Sequence, residues 1–569
     1  MSVRNYTGFL GVLFASLAVA ALAPAQRPAY DPAMQSLAAE FFAWRAVTQP
    51  SAPDDIPRIE RPNGWTPDVS PEALAQTNMA YAGFRKRLDA LTRAGWSRSD
   101  SVDWLLLRSA IERVRWELEI LRLPERNPDF YVQQTLGAVY ELLVVSSPVT
   151  DARMEEIVRR VRAIPMTLTH ARANLKDPVL PFASMAIDNL WNIRDKLERL
   201  AAGLKRESAS RQHAAIDHAI RAAAGALEEY ARWLQSRLSA MRPAFSPGRE
   251  AYLSYLKNVA LIPMTPEEML SLGRSELDRA VAFEAMEKNR NAGVVEAPVF
   301  ASLEEQIRQT EKDETGIREF LESRDLLSVP AWVRHYRVRS LPLVMAALPS
   351  IGEEDDFTSS SRLAEDGVRY VRPPSPDLPF FARTLAQDPR PIIIHEGVPG
   401  HYFQLVVSWA HKDPIRRRFF DSGPNEGWGF YVEEMLLQAG LFDRDRPQTR
   451  EVIYRFMKLR ALRVEVDVRL ATGEMTIDRA AEYLASTVPM ERGSAMGEAA
   501  FVASTPGQAI SYQIGKLQIQ RLLRDARLQQ GEAFRLRAFH DELVRNGNVP
   551  IALLRWEYLG LRDEIDLLW

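Results

Sequence analysis

Residues 104–123 read WLLLRSAIERVRWELEILRL, and their apolar side chains return every three or four positions, at Leu105, Ile111, Val114 and Leu118. That spacing predicts a helix that hides one stripe and shows charge on its other face. The same period runs through Met154 to Arg162, Ile187 to Leu204 and Ala214 to Met241, which read as core helices and nothing more. Thr265-Pro266-Glu267-Glu268 opens another helix. It has a capping hydroxyl, a proline at the first helical position and acidic residues at the positive helix end, and the same grammar recurs at Thr476. Strand signals are few. Between Pro349 and Pro391 the pattern breaks into acidic, Ser-rich and Pro-rich sequence, with Val368 to Val371 as the one short strand. Such an irregular stretch before a motif-rich helix is a candidate cleft wall. With no fixed-period repeat, the expected fold is mainly α, a large two-lobed helical body with a central cleft and few short strands. Its lobes are expected at about residues 26–260 and 261–569.

The chain has 569 residues, with 72 basic against 75 acidic side chains and a formal net charge of -3, so charge gives no reason to expect a nucleic-acid partner. Its first 25 residues are the exception to an ordinary soluble composition. Arg4 supplies a positive start, Gly8 to Leu22 is an uncharged apolar run, and Ala23-Pro24-Ala25 ends it in small residues. This is the pattern of a signal peptide cleaved near Gln26, and it predicts a periplasmic or secreted protein. The run is shorter than the roughly 20 residues a spanning helix needs, so no stable membrane insertion is expected after cleavage. After the leader, the Pro-rich stretch from Gln49 to Pro67 reads as an irregular arm. There is no cysteine. Lipid attachment at cysteine, disulfides and thiolate metal sites are therefore excluded, and any metal must be held by His, Asp or Glu.

Two of the chain's 8 histidines fall in Ile392-Ile393-Ile394-His395-Glu396-Gly397-Val398-Pro399-Gly400-His401. Zinc hydrolases need neutral imidazole ligands and a carboxylate that takes a proton from the metal's water, and His-Glu followed by His supplies both. In the common H-E-x-x-H helix the two histidines share a face. Here they are six apart, and on an unbroken helix the rings would stand roughly 120° out of line. Gly397, Pro399 and Gly400 suit an interruption that loops the extra residues out and returns both rings to one side. The alternative is a plain loop with His395 as a satisfied core histidine. A third ligand should be a carboxylate on a neighbouring helix. Asn425-Glu426-Gly427-Trp428-Gly429-Phe430-Tyr431-Val432-Glu433-Glu434 begins just past a turn at Lys412-Asp413-Pro414, which brings Glu426 back to the histidines. Glu433 lies two turns along the same face, where it could orient a ligand imidazole.

His-Glu-x-x-Pro-Gly-His with Gln404 after it, followed by Glu-Gly-Trp-x-x-Tyr-x-Glu, resembles the bacterial domain-of-unknown-function family 885. The resemblance extends over most of the mature chain, including Thr265 to Glu268 with Gly273, and Pro506 to Gly515. It implies helical, metallopeptidase-like proteins related in architecture to the gluzincin peptidases. By position it implies His395, His401 and Glu426 as Zn2+ ligands and Glu396 as general base. Two departures stand out: Tyr402 and Ala471 occupy places where members often carry histidine.

The expected chemistry is hydrolysis of short peptides by metal-activated water, with Glu396 as the base. Tyr512 is the candidate donor to the developing oxyanion, against the alternative of a core tyrosine. Arg463 and Lys516 are candidates to hold a substrate carboxylate. His335, His411 and His540 have no partners at ligand spacing and read as ordinary. Phosphate-loop and serine-nucleophile motifs are missing, which removes NTPase and serine-hydrolase classes. A zinc amidase on another amide, such as a cell-wall fragment, would use the same ligands. A catalytically silent helical binding protein is the third reading, and the intact Glu396 argues against it.

Overall fold

The computed structural model describes residues 31–52, 59–208, 212–349, 351–444, 446–488 and 490–569. The leader expected over residues 1–25 lies outside the described residues. The fold is mainly α, with three short strands in one small sheet among the described residues.

The opening stretch forms a helix over Arg98–Arg115, capped by Ser97 with Asp100 bonding back to the cap, and continues as one wide turn over Trp116–Ile120. Leu105, Leu106, Leu107, Ile111 and Val114 are buried. Each such side chain stabilises the fold by about 1.5–3 kcal/mol before chain entropy is subtracted. The caps read at Thr265 and Thr476 both form, over Pro266–Arg290 and Ile477–Thr487. One expectation is corrected: Ile187 to Leu204 is not a single helix. Leu180–Asn189 ends and Ile193–Glu207 begins around Asn192, which adopts φ 53°. Apolar period alone does not register such a break, because Ile187, Leu190, Ile193 and Leu197 keep their spacing across it while the backbone turns. The helix expected to cover Met154 to Arg162 in fact runs through Pro165, over Asp151–Asn174.

The strands are β1 (Tyr336–Ser340), β2 (Asp355–Asp356) and β3 (Gly367–Val371), in the order β1-β3-β2, with β1 parallel and β2 antiparallel to β3. β3 is the expected strand. β1 carries a period-two signal in Tyr336 and Val338, both buried, that a five-residue segment flanked by arginines makes easy to pass over.

The apolar cores do not follow chain order. One joins Phe41, Leu106 and Ile111 from the first hundred or so residues to Phe403, Trp428, Val432 and Leu553 near the chain's end. A second packs Tyr131, Val161, Leu200 and Leu227 against Val344, Val368 and Tyr370 around the sheet. In the first core the helices Ser422–Gln438 and Ser511–Gln530 pack backbone to backbone, since a Cβ on Gly427 would meet Gly515 Cα at 2.6 Å. That contact carries Tyr512 up to the helix that bears Glu426. Among the described residues no helix is long and apolar enough to cross a membrane.

Candidate metal centre

The helix Arg390–Glu396 stops between the two histidines, and a new helix begins at His401 and runs to Trp409. The interruption read from Gly397, Pro399 and Gly400 is therefore present. Gly397 N–H still bonds Ile393 O at 2.8 Å, and Phe403 N–H reaches back to Gly397 O at 3.1 Å. Gly400 cannot be replaced within this loop, because a Cβ there would lie 1.8 Å from His395 O. The Trp428 indole N–H donates to Pro399 O at 2.7 Å and ties the loop to the helix Ser422–Gln438. Gln404 pins the same two helices, donating to Pro424 O at 3.1 Å and accepting from Asn425 Nδ2 at 2.8 Å.

The loop returns both imidazoles to one point. Glu426 Oε2 lies 3.4 Å from His395 Nε2 and 3.1 Å from His401 Nε2, with all three side chains buried. A tetrahedral ion with bonds of about 2.0–2.1 Å holds its ligand atoms about 3.3–3.4 Å apart, so three atoms at these spacings would suit such an ion. Glu396 joins the group, its ligand atom lying within 4.8 Å of those of both histidines. Of the two carboxylates, Glu426 touches both imidazoles, whereas Glu396 is the more open, at 21 % exposure against 5 %. Glu426 is thus the carboxylate set between the two rings, and Glu396 the one with an oxygen left toward open space.

Glu433 Oε1 sits 2.7 Å from His395 Nδ1 and fixes which ring nitrogen faces Glu426. Arg460 Nη2 is 3.5 Å from the same Glu433 oxygen. Gly429, between Glu426 and Glu433, makes room for the rings: a Cβ there would lie 2.9 Å from His401 Cε1 and 3.1 Å from His395 Cε1. Burial opposes charge on His395, but hydrogen bonding to Glu426 and Glu433 prevails and raises its pKa to about 10. Burial would raise Glu426, yet the two imidazoles hold its carboxyl far below the usual range. Both shifts describe a pocket of carboxylates that favours positive charge, which a divalent cation would supply.

Tyr512 stacks on His395, ring centroids 6.1 Å apart and planes at 10°. Burial and Glu426 push the phenol well above its ordinary pKa, so it stays a proton donor. Arg463 lies over the Tyr512 ring at 4.7 Å and is paired with Glu498. Lys516 is fully buried, with Nζ 3.1 Å from Glu276 and 2.9 Å from Glu434. Two carboxylates already satisfy this ammonium, and the pairing ties three helices together behind the site.

Sequence reasoning passed over the small sheet's contribution. Asp355 pairs with Arg369 in the β2–β3 register, and Arg369 Nη1 reaches Asp355 Oδ2 at 2.6 Å and Glu396 Oε1 at 3.8 Å. The Tyr336 hydroxyl donates to the other Asp355 oxygen. The sheet thereby brings a cation beside Glu396, a link invisible along the chain. The only trace lay in the Val368 to Val371 strand that carries Arg369. The three histidines read as ordinary have partners outside this group: His335 bonds Glu314, His411 accepts from the Asp413 N–H, and His540 bonds Tyr431 and Leu326 O.

Residues 57–557 match the family model described as "Bacterial protein of unknown function (DUF885)". The chain belongs to that family. No curated protein is similar to it. Solved structures share the family-885 chain's fold, two of them over nearly its whole length. One is described as a "putative lipoprotein of unknown function" from Shewanella oneidensis, 17% identical with a TM-score of 0.70 over 93% of this chain and 99% of its own. The other, a "putative lipoprotein" from Colwellia psychrerythraea, is 16% identical with a TM-score of 0.71 over 94% and 99%. At such identities the likeness establishes the fold.

Proposed function

We propose that the protein is an exported zinc-dependent metallohydrolase, a peptidase acting on short peptides. The observation that carries the reading is the meeting of His395 Nε2, His401 Nε2 and Glu426 Oε2 at zinc-ligand spacing, with Glu396 beside them. Zinc held there would supply Lewis-acid polarisation of water and of the scissile carbonyl. Glu396, the most open carboxylate of the group, accepts the proton from water at its free oxygen, and Arg369 holds the other side of its carboxylate. Glu433 keeps His395 oriented through Nδ1, and the Tyr512 hydroxyl donates to the substrate oxygen as it gains charge. Export rests on the leader pattern of residues 1–25, and the lipoprotein description of both fold neighbours is consistent with it.

The test is metal analysis of the purified protein with a peptide-library digest, using Glu396→Gln as control. The variant should keep one zinc per chain and lose about 10²–10⁴-fold in turnover. Equal hydrolysis by both forms would remove Glu396 from the mechanism, and a well-folded sample that never takes up zinc would end the proposal.

A further inference from the structure

A cavity of about 230 Å³ lies between the helix Pro32–Thr48, residues 110–133, and the segments 418–422 and 504–508. Seven aromatic side chains line it, among them Phe41, Trp116, Phe130, Tyr255, Phe419 and Phe420. Its charged walls are already matched. Arg45 stands 2.9 Å from Glu117, Arg113 stands 2.7 Å from Asp421, and Asp129 accepts from Asn189 Nδ2 at 2.8 Å. Arg418, the remaining charged wall residue, is exposed to solvent. With Arg45 and Arg113 ion-paired and Asp129 hydrogen-bonded to an amide, what the cavity mainly offers a guest is aromatic surface. An apolar cavity of about 150 Å³ is enough to hold benzene, so this one has room for a phenyl or indole group.

Its position ties it to the metal centre. Ser422 lines the cavity and stands four residues before Glu426 on the helix Ser422–Gln438. Side chains four apart share a helix face about 6 Å from one another, so Ser422 continues the face that carries Glu426 and Glu433. Gln508, also in the lining, stands four residues before Tyr512, whose ring stacks on His395. The cavity therefore reaches Ser422, about one helical turn along the helix from Glu426.

We propose that this cavity receives an uncharged aromatic side chain of the peptide substrate, next to the bond that is cut. The assignment rests on the hydrolase reading above. The experiment has two arms, calorimetric binding of N-acetylphenylalaninamide to zinc-loaded and zinc-free protein, and kcat/KM for matched peptides carrying Phe or Ala. Both are repeated with Ala110→Phe, which fills the cavity from the helix Arg98–Arg115, and with Ser504→Phe, which fills it from the other side should the first fail to fold. The amide should bind the wild type with or without zinc, and a filling variant should weaken it roughly 10- to 100-fold. Phe peptides should lose a similar factor in kcat/KM while Ala peptides and zinc content are unchanged. Turnover without aromatic preference, or an equal fall for both peptides at full zinc content, overturns the cavity's role and leaves the hydrolase reading intact. Wild-type protein that takes up no zinc and cleaves nothing overturns the hydrolase reading, and the substrate assignment with it, whatever the amide does.

Discussion

Replacing Gly429 by alanine separates the metal centre from the helix that supports it. Within the helix Ser422–Gln438 this exchange would ordinarily stabilise by about 1 kcal/mol through backbone entropy. Here the new methyl would sit 2.9 Å from His401 Cε1, 3.1 Å from His395 Cε1 and 3.2 Å from His395 Nδ1. Carbon atoms rest at about 3.5 Å or more, so the rings must retreat by about 0.5 Å. Overpacking of this kind costs about 1–3 kcal/mol, which leaves the metal-free protein about 1 kcal/mol less stable on balance. Metal binding should suffer more, because ligand distances tolerate only about 0.2 Å. A retreat of that size should lower zinc affinity about 10- to 100-fold, as loss of an orienting partner does. The assay is zinc titration against a competing chelator, beside thermal melts of the metal-free protein. Unchanged zinc affinity in a folded Gly429→Ala protein would refute the placement of the ion between these rings.

Two further outcomes follow from the groups around the site. Lys516→Met takes one of two cations from Glu434 and Glu276, which Arg279 still pairs, and chemical denaturation should show a loss of about 1–3 kcal/mol; a rise in KM with unchanged stability would instead favour the carboxylate-holding role expected for Lys516 from the sequence. Asp467 is buried under the turn before Tyr512, accepting from Gly507 and Ile510 N–H, and burial outweighs those bonds and raises its pKa to about 7. Because the folded protein holds this proton more tightly than the unfolded chain, the contribution is full below pH 4 and falls as pH rises to 7. Relative to Asp467→Asn, the wild type should lose up to about 4 kcal/mol across that window, and parallel stability curves for the two would contradict the assignment.

The sequence by itself determined the helical class, the caps at Thr265 and Thr476, and the candidate metal residues. These are local statements: a 3.6-residue period, a capping hydroxyl and a His-Glu pair with glycines behind it are all written within a few positions. The six-residue gap between His395 and His401 was legible as a broken helix for the same reason, since straight-helix geometry forbids the rings to meet. The turn at Asn192 and the strand β1 were not, because the apolar period survives a left-handed residue and five residues carry little pattern. Tertiary structure alone decided what stands around the metal residues. Arg369, paired with Asp355, reaches Glu396 through sheet register, Arg460 reaches Glu433 from another helix, and Lys516 disappears into a pair of carboxylates. Those pairings depend on which helix faces pack together. Packing is set by burial summed over the whole chain, and no short stretch of sequence records it.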